Sequence, residues 1–122
     1  MKTVASIFCG RRIACVKKVK SKDGFYKVYR AAAGRGKYLG EVWWTKDRGR
    51  LSIIRPGEDS WCDWKACLMD DPEGDEEQAT NPYAHHQVIR AQAGALLDDQ
   101  GGFLGSFEGE PLLAIAAYCL MM

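Results

Sequence analysis

The segment Pro111–Met122, PLLAIAAYCLMM, carries no polar side chain apart from the Tyr118 hydroxyl and the weakly polar Cys119 thiol. The Glu110-Pro111 pair at its start is typical of a helix N-terminus, because an acid suits the positive end of the helix dipole and proline lacks an N–H that is not needed there. A helix without a polar face has to be covered on most sides. The segment therefore predicts a helix that either fills a groove between a sheet and another helix or forms a homodimer interface through Leu112–Met122.

Charge divides the chain at Gly57. Up to that residue there are fifteen Lys and Arg against three acids, and from Glu58 onward there are two against thirteen. A molecule with formal net charge +1 thus consists of a +12 part and a −11 part. Because 122 residues with 47% hydrophobic content suit one modest core, we expect a single domain over 1–122, with a basic strand-rich half (1–57) and an acidic helix-rich half (58–122).

The basic half is rich in strand signals. Asp23-Gly24 is a strong hairpin turn signal between two segments of extended character. Segments with many β-branched and aromatic residues are TVASIFC (3–9), RIACVKKVK (12–20), FYKVYRA (25–31), KYLGEVWW (37–44) and LSIIR (51–55). We predict an antiparallel sheet of four or five strands with one buried face and one wet face that the basic residues share.

The acidic half carries helix signals. Trp61, Trp64 and Leu68 recur at helical spacing, and Asn81-Pro82 is a cap signal ahead of the segment 83–99. Between them, DDPEGDEEQAT (70–80) has the low hydrophobicity and charge excess of a mobile loop, and the glycine-rich 100–110 is typical of a loop or small hairpin. The sequence therefore predicts an α+β fold in which a four- to five-stranded antiparallel sheet packs against two or three helices.

Cysteine and histidine usage does not indicate a metal site. Five cysteines at loose spacing, without a secretion signal, predict free thiols in a reducing cytoplasm. Cys62 and Cys67 with His85 and His86 depart from zinc spacing, because adjacent histidines do not easily reach one ion. We expect no metal, no cofactor and no disulfide. The apolar C-terminal run is also shorter than the roughly 20 residues that cross a bilayer, so we expect no membrane association.

A catalytic constellation is not indicated either. Nucleophilic catalysis needs an activated Ser or Cys, a base and an orienting group, whereas the two histidines are adjacent. Asp98 and Asp99 fit an exposed helix end better than a pair of catalytic carboxylates. We therefore expect a binding protein with no catalytic residues.

The division of charge leaves two interpretations open. The opposite fields either cancel within one monomer, or each is available to a partner of opposite sign. In the second case the basic face, where cations interleave with aromatics, resembles in composition the surfaces that bind phosphates and stack bases. The candidate nucleic-acid-binding residues are Arg11, Arg12, Lys17, Lys18, Lys20, Lys27, Arg30, Arg35, Lys37, Arg48, Arg50, Tyr29 and Trp43.

The acidic half supports an alternative function. A string of carboxylates can imitate a phosphate backbone and occupy a basic groove on a nucleic-acid-handling protein, as small inhibitors of phages and mobile elements do, although a solvated spacer is the ordinary explanation. The candidate protein-binding residues are Asp70, Asp71, Glu73, Asp75, Glu76 and Glu77. We expect a small non-enzymatic protein that attaches to nucleic acid or a nucleoprotein complex, with a protein-directed inhibitor or regulator (a phage accessory protein) as the alternative.

Overall fold

The computed structural model describes residues 2–31, 36–45, 47, 50–71, 74–81 and 87–121, of which 65–71, 74–81 and 87 are described by their backbone alone. Within these ranges the chain is mostly sheet, with ten strands followed by one helix. The strands are β1 (Thr3–Cys9), β2 (Arg12–Lys18), β3 (Phe25–Ala31), β4 (Lys37–Trp43), β5 (Arg50–Ile54), β6 (Cys62–Asp71), β7 (Gly74–Asn81), β8 (Gln87–Gln92), β9 (Ala95–Asp98) and β10 (Phe103–Gly109), and the helix is α1 (Pro111–Met121).

The sheet is antiparallel and closes on itself. Each strand pairs with the next along the chain, and β1 pairs with β10 as well as with β2, so that the strands form a closed barrel. Ala5, for example, lies between Gly109 on one side and Val16 on the other. Closure protects the first and last strands, because each satisfies the backbone groups that an open sheet edge would expose.

The apolar helix α1 fills the inside of this barrel. It lies against β1 to β5 and against β7, β8 and β10, and eight of its eleven residues are buried. A ten-stranded barrel encloses more space than side chains alone fill, and the helix occupies that space. Small inward residues allow its approach: a Cβ on Gly40 would lie only 2.9 Å from Leu120 Cδ2. The barrel and the helix therefore share one core.

This arrangement changes the interpretation of the C-terminal segment. The predicted helix is confirmed and begins at Pro111, but the predicted groove between the sheet and a second helix is wrong, because the helix lies inside the sheet. Leu112, Ile115, Ala116 and Leu120 are all buried within a single chain. The proposed homodimer through this segment thus loses its premise, since no large apolar helix face is left to cover. Self-association itself stays a prediction.

The predicted α+β fold class, a four- to five-stranded sheet packed against two or three helices, is wrong. The five N-terminal strands occur where the sequence predicts them, but they belong to a ten-stranded barrel with one helix in the described ranges. The expected helix at Trp61–Leu68 is part of β6, and the expected mobile loop 70–80 falls largely on the paired strands β6 and β7. The expected helix 83–99 contains β8 and β9, while 82–86 lie outside the described residues. Short apolar runs fit the helical and the strand periodicity equally well, and these segments form strands because they pair with neighbouring strands of the barrel.

Two turns in this half show what the helix prediction missed. Ala93 and Gly94 both have positive φ, 51° and 79°, as a two-residue type I′ hairpin requires, and they join β8 directly to β9. After β9, the Asp98 carboxylate accepts hydrogen bonds from the backbone N–H groups of Gln100 (2.9 Å) and Gly102 (2.6 Å). Asp98 therefore shapes a turn into β10 instead of ending a helix.

Candidate functional site

The barrel distributes the predicted basic residues over different surfaces. Arg12, Arg30 and Lys37 lie at the end of the barrel where α1 ends, and Arg11 is in the β1–β2 turn at that same end. Lys17 and Lys27 belong to the outer wall, whereas Lys18 and Lys20 lie toward the opposite end. Arg50 faces Asp63 across 3.8 Å, and Arg35 and Arg48 lie outside the described residues. The predicted basic residues therefore do not share one sheet face.

Four cationic side chains line one cleft of about 610 Å³, which we call the basic mouth. The topology brings them together, because the start of β2, the end of β3, the start of β4 and the residue after β5 all lie at the same end of the barrel. The cations are Arg12, Arg30, Lys37 and Arg55, and the other lining residues are Tyr38, Leu39, Pro56, Leu120 and Met121. No carboxylate side chain is among the described residues of this lining.

Arg55 caps the C-terminus of α1. Its Nη2 donates a hydrogen bond of 2.7 Å to the Cys119 carbonyl, one of the groups that a helix C-terminus leaves without an intrahelical partner. The guanidinium also compensates the negative end of the helix dipole. Sequence reasoning missed Arg55 because its partner lies 64 residues away and is reached only in the folded barrel. Arg12, Arg30 and Lys37 have no ion-pair partner within the described ranges.

The opposite end of the barrel has a cleft of similar size but mixed charge. Its volume is about 590 Å³, and Lys2 and Lys18 share its lining with Asp23 and Glu110. Tyr26 lies there too, where burial and then the two carboxylates raise the pKa of its hydroxyl. A polyanion would meet repulsion as well as attraction at this end. The basic mouth is therefore the stronger candidate for binding anions.

Tyr38 connects the basic mouth to the outer wall. Its side chain is 37% exposed, and its ring lies 5.6 Å from that of Tyr29, which is directly opposite on β3. Burial, the nearby Glu41 charge and a hydrogen bond to that carboxylate raise the pKa of Tyr38 to about 12. The hydroxyl thus stays protonated and donates to Glu41, which fixes the orientation of the exposed ring.

Lysines and a second aromatic group continue along the wall. Lys17 lies directly opposite Lys27, and its Nζ is 5.7 Å from the centre of the Tyr29 ring. Further along β3, Phe25 stacks on Trp43 with ring centres 5.5 Å apart and planes 8° from parallel. Trp61 meets both rings edge-on, and Lys22 Nζ lies 5.3 Å from the centre of the Phe25 ring.

Tyr29 and Trp43 are among the candidate residues predicted from the sequence, Tyr38 belongs to the aromatics that interleave with the cations but is not one of the candidates, and Phe25 and Trp61 were missed. An available signal was the alternation in FYKVY, which places Phe25, Lys27 and Tyr29 on one face of a strand. The sequence predicts Trp61 in a short helix packed on the sheet, whereas it directly precedes β6 and its ring lies beside those of Phe25 and Trp43.

The acidic candidates lie on the β6–β7 hairpin. Its register places Asp70 opposite Asp75, Asp71 opposite Gly74, and Glu76 and Glu77 opposite Met69 and Leu68. Glu73 lies outside the described residues. The acids are therefore arranged along two paired strands, which gives their backbone a defined spacing.

Burial disfavours the reactive thiolate form of two cysteines, Cys9 and Cys119. Burial raises the pKa of Cys119 to about 12 and also raises that of Cys9, so both are neutral thiols near pH 7. Cys9, Cys15, Cys62 and Cys119 are free, and the side chain of Cys67 lies outside the described part. Among the residues that the structure describes, which exclude His85 and His86, no three His, Cys, Asp or Glu residues cluster as metal ligands.

No protein-family model, curated protein or solved structure matches this chain. None of the helical structure in the described ranges has the length and apolar character that a membrane span requires.

Proposed function

We propose that the protein binds nucleic acid, free or within a nucleoprotein complex, through the basic mouth and the adjoining outer wall of β2, β3 and β4. The observation that carries this proposal is the basic mouth itself, where Arg12, Arg30 and Lys37 converge beside Arg55 without a carboxylate in the described lining. Three side chains that have no ion-pair partner among the described residues, at one end of a small barrel, create a local positive potential that a phosphate chain would neutralise.

The wall supports a polymer over a small anion. A small anion would need only the cleft, but the positive surface continues past Tyr38 to Lys17 and Lys27. Like charges directly opposite each other in an antiparallel pair are destabilising. A phosphate group bound between these two lysines would offset that repulsion. The free thiols fit a reducing cytoplasm, where we place this function.

The test is the salt dependence of binding to generic single- and double-stranded DNA and RNA, measured by fluorescence anisotropy. Affinity should fall steeply as salt rises, because bound phosphates release counterions. Lys37→Glu in the basic mouth should weaken binding and reduce the salt slope by about 0.7 to 0.9 for one lost phosphate contact. Lys2→Glu makes the same charge change in the opposite cleft and should have a much smaller effect. Undetectable binding at low salt would contradict the proposal.

The alternative, a protein-directed inhibitor or regulator, draws on the β6–β7 hairpin. The register that places Asp70 opposite Asp75 would present paired acids to a basic groove on a nucleic-acid-handling protein. A pull-down from a cell lysate with and without nuclease separates the two functions. Capture of one protein that survives nuclease and is lost in an Asp70→Asn, Asp75→Asn variant would favour the inhibitor.

A further inference from the structure

We infer that the nucleic acid is single-stranded and runs along the outer face of β3, from the basic mouth past Tyr38 and Tyr29 toward Phe25. This inference rests on the proposed function and names the substrate class and its path. Three residues alternate on that face, Phe25, Lys27 and Tyr29, so that a cation lies between two aromatic rings. Base stacking and phosphate contacts can then alternate along one strand.

Shape favours a single strand over a duplex. The outside of a closed barrel is convex, and the rings of Tyr29, Phe25 and Trp43 continue along this wall from Tyr38, which lies at the basic mouth. A duplex keeps its bases stacked inside, where aromatic side chains on a convex surface cannot reach them. The exposed bases of a single strand can stack on such rings whatever their sequence.

The two aromatic groups are spaced for successive contacts. Tyr29 and Phe25 are four residues apart on one strand, which corresponds to about 13 Å. Lys17 and Lys27 lie on the row between them, and Lys17 and Lys22 each lie near a ring centre, where they would also meet a phosphate beside a stacked base. The path therefore offers a ring, a pair of cations and a second group of rings in order.

One acid on this wall sets the side on which the strand passes. Glu41 lies opposite Lys27 on β4 and accepts the hydrogen bond of the Tyr38 hydroxyl. Its charge would repel a phosphate on the β4 side, whereas Lys17 attracts one on the β2 side. The backbone of the bound strand should therefore follow the β2–β3 side of the wall.

The test compares a single strand with a duplex of the same sequence and length, by anisotropy at several salt concentrations. The wild-type protein should prefer the single strand. Tyr38→Ala should lower single-strand affinity about tenfold without changing the salt slope, because it removes an exposed stacking surface and no charge. Phe25→Ala should lower it by a smaller factor, because the Phe25 ring is already stacked on Trp43 and contacts a base only in part. Tyr38→Phe keeps the ring and should lose much less affinity than Tyr38→Ala. Phe103→Ala is the matched control, since Phe103 is 69% exposed on β10, which β1 and β2 separate from β3.

The outcomes distinguish this inference from the proposed function. Salt-dependent binding that favours the duplex, or that is unchanged in Tyr38→Ala and Phe25→Ala proteins shown to be folded by circular dichroism, would overturn the single-strand path and leave the proposed function in place. The absence of any binding would overturn both.

Discussion

Lys17 and Lys27 lie directly opposite each other on the outer wall of the barrel, on adjacent antiparallel strands. Side chains in this relationship have Cβ atoms about 5 Å apart, and like charges there oppose folding. Glu41 lies opposite Lys27 on β4 and compensates part of this charge, and a phosphate bound beside Lys17 would compensate the remainder. The pair gives a direct way to separate stability from binding.

Lys17→Glu should raise stability and weaken nucleic-acid binding in the same protein. The new carboxylate faces Lys27, so that repulsion becomes attraction, while the contact of Lys17 with the Tyr29 ring is lost; the free energy of unfolding should therefore increase by less than about 0.5 kcal/mol. Urea denaturation and anisotropy measure the two quantities. Lys18→Glu is the control, since the adjacent residue makes the same charge change opposite Tyr26 instead of Lys27. A Lys17→Glu protein that is both less stable and unaltered in binding would refute this account of the pair.

Ile115→Asp should unfold the protein instead of dissociating a dimer. Ile115 is fully buried inside the barrel, and an unpaired carboxylate there costs several kcal/mol, roughly 3 to 5. Circular dichroism should show loss of the sheet, while Ser106→Asp on the exposed surface should leave it intact. A folded monomeric variant derived from a dimeric wild type, by light scattering, would instead place α1 in an interface.

Gly40→Ala should destabilise the protein more than Gly101→Ala. Both glycines have positive φ, 147° and 81°, so both changes carry backbone strain. The Gly40 Cβ would press against the Ile54 carbonyl oxygen on β5 and against Leu120 Cδ2 of α1, at 2.9 Å, whereas the Gly101 Cβ meets open space. We expect an additional loss of roughly 1 to 3 kcal/mol from overpacking, measured by thermal and urea unfolding. Equal losses would show that neither β5 nor α1 packs closely against Gly40.

Glu41→Gln should lower the pKa of Tyr38 from about 12 toward the usual value of 10, because it removes a negative charge beside the hydroxyl. The raised pKa means that the folded protein keeps this proton after an unfolded chain has lost it. The resulting stability is fully present below pH 10 and is lost as the pH rises toward 12. The phenolate absorbance during an alkaline titration reports the ionisation of Tyr38, and the Tyr38→Phe variant lacks this contribution. Glu108→Gln, an exposed acid on β10, should leave it unchanged.

Single-strand binding should quench tryptophan fluorescence from the outer wall. Trp43 and Trp61 contact the Phe25 ring outside the barrel, whereas Trp44 and Trp64 are buried with 7% and 4% exposure. A Trp43→Phe, Trp61→Phe variant keeps aromatic rings for stacking but should lose most of the quenching. The reciprocal variant, Trp44→Phe, Trp64→Phe, should retain the quenching. Loss of the quenching when Trp44 and Trp64 are replaced would instead show that the ligand does not bind at this wall.

Local signals determined the first half of the fold and its last element. Alternating β-branched and aromatic residues and the Asp23-Gly24 turn were sufficient for β1 to β5, because a hairpin depends on residues that are close in the chain. Glu110 and Pro111 marked the start of α1 in the same way. The apolar composition of α1 also indicated that other parts of the protein must cover it, but it did not indicate which parts.

The rest depended on contacts between distant parts of the chain. The pairing of β1 with β10, which brings Ala5 opposite Gly109, closes the barrel and creates the cavity for α1. Short segments such as 61–68 fit a helix or a strand equally well when taken alone, and only a neighbouring strand with unpaired backbone groups favours the strand. Closure also moved Arg12, Arg30 and Lys37 to the basic mouth and Lys17 and Lys27 to the wall. Composition alone determined that the first half is basic, but the curvature of the sheet decided which charges converge.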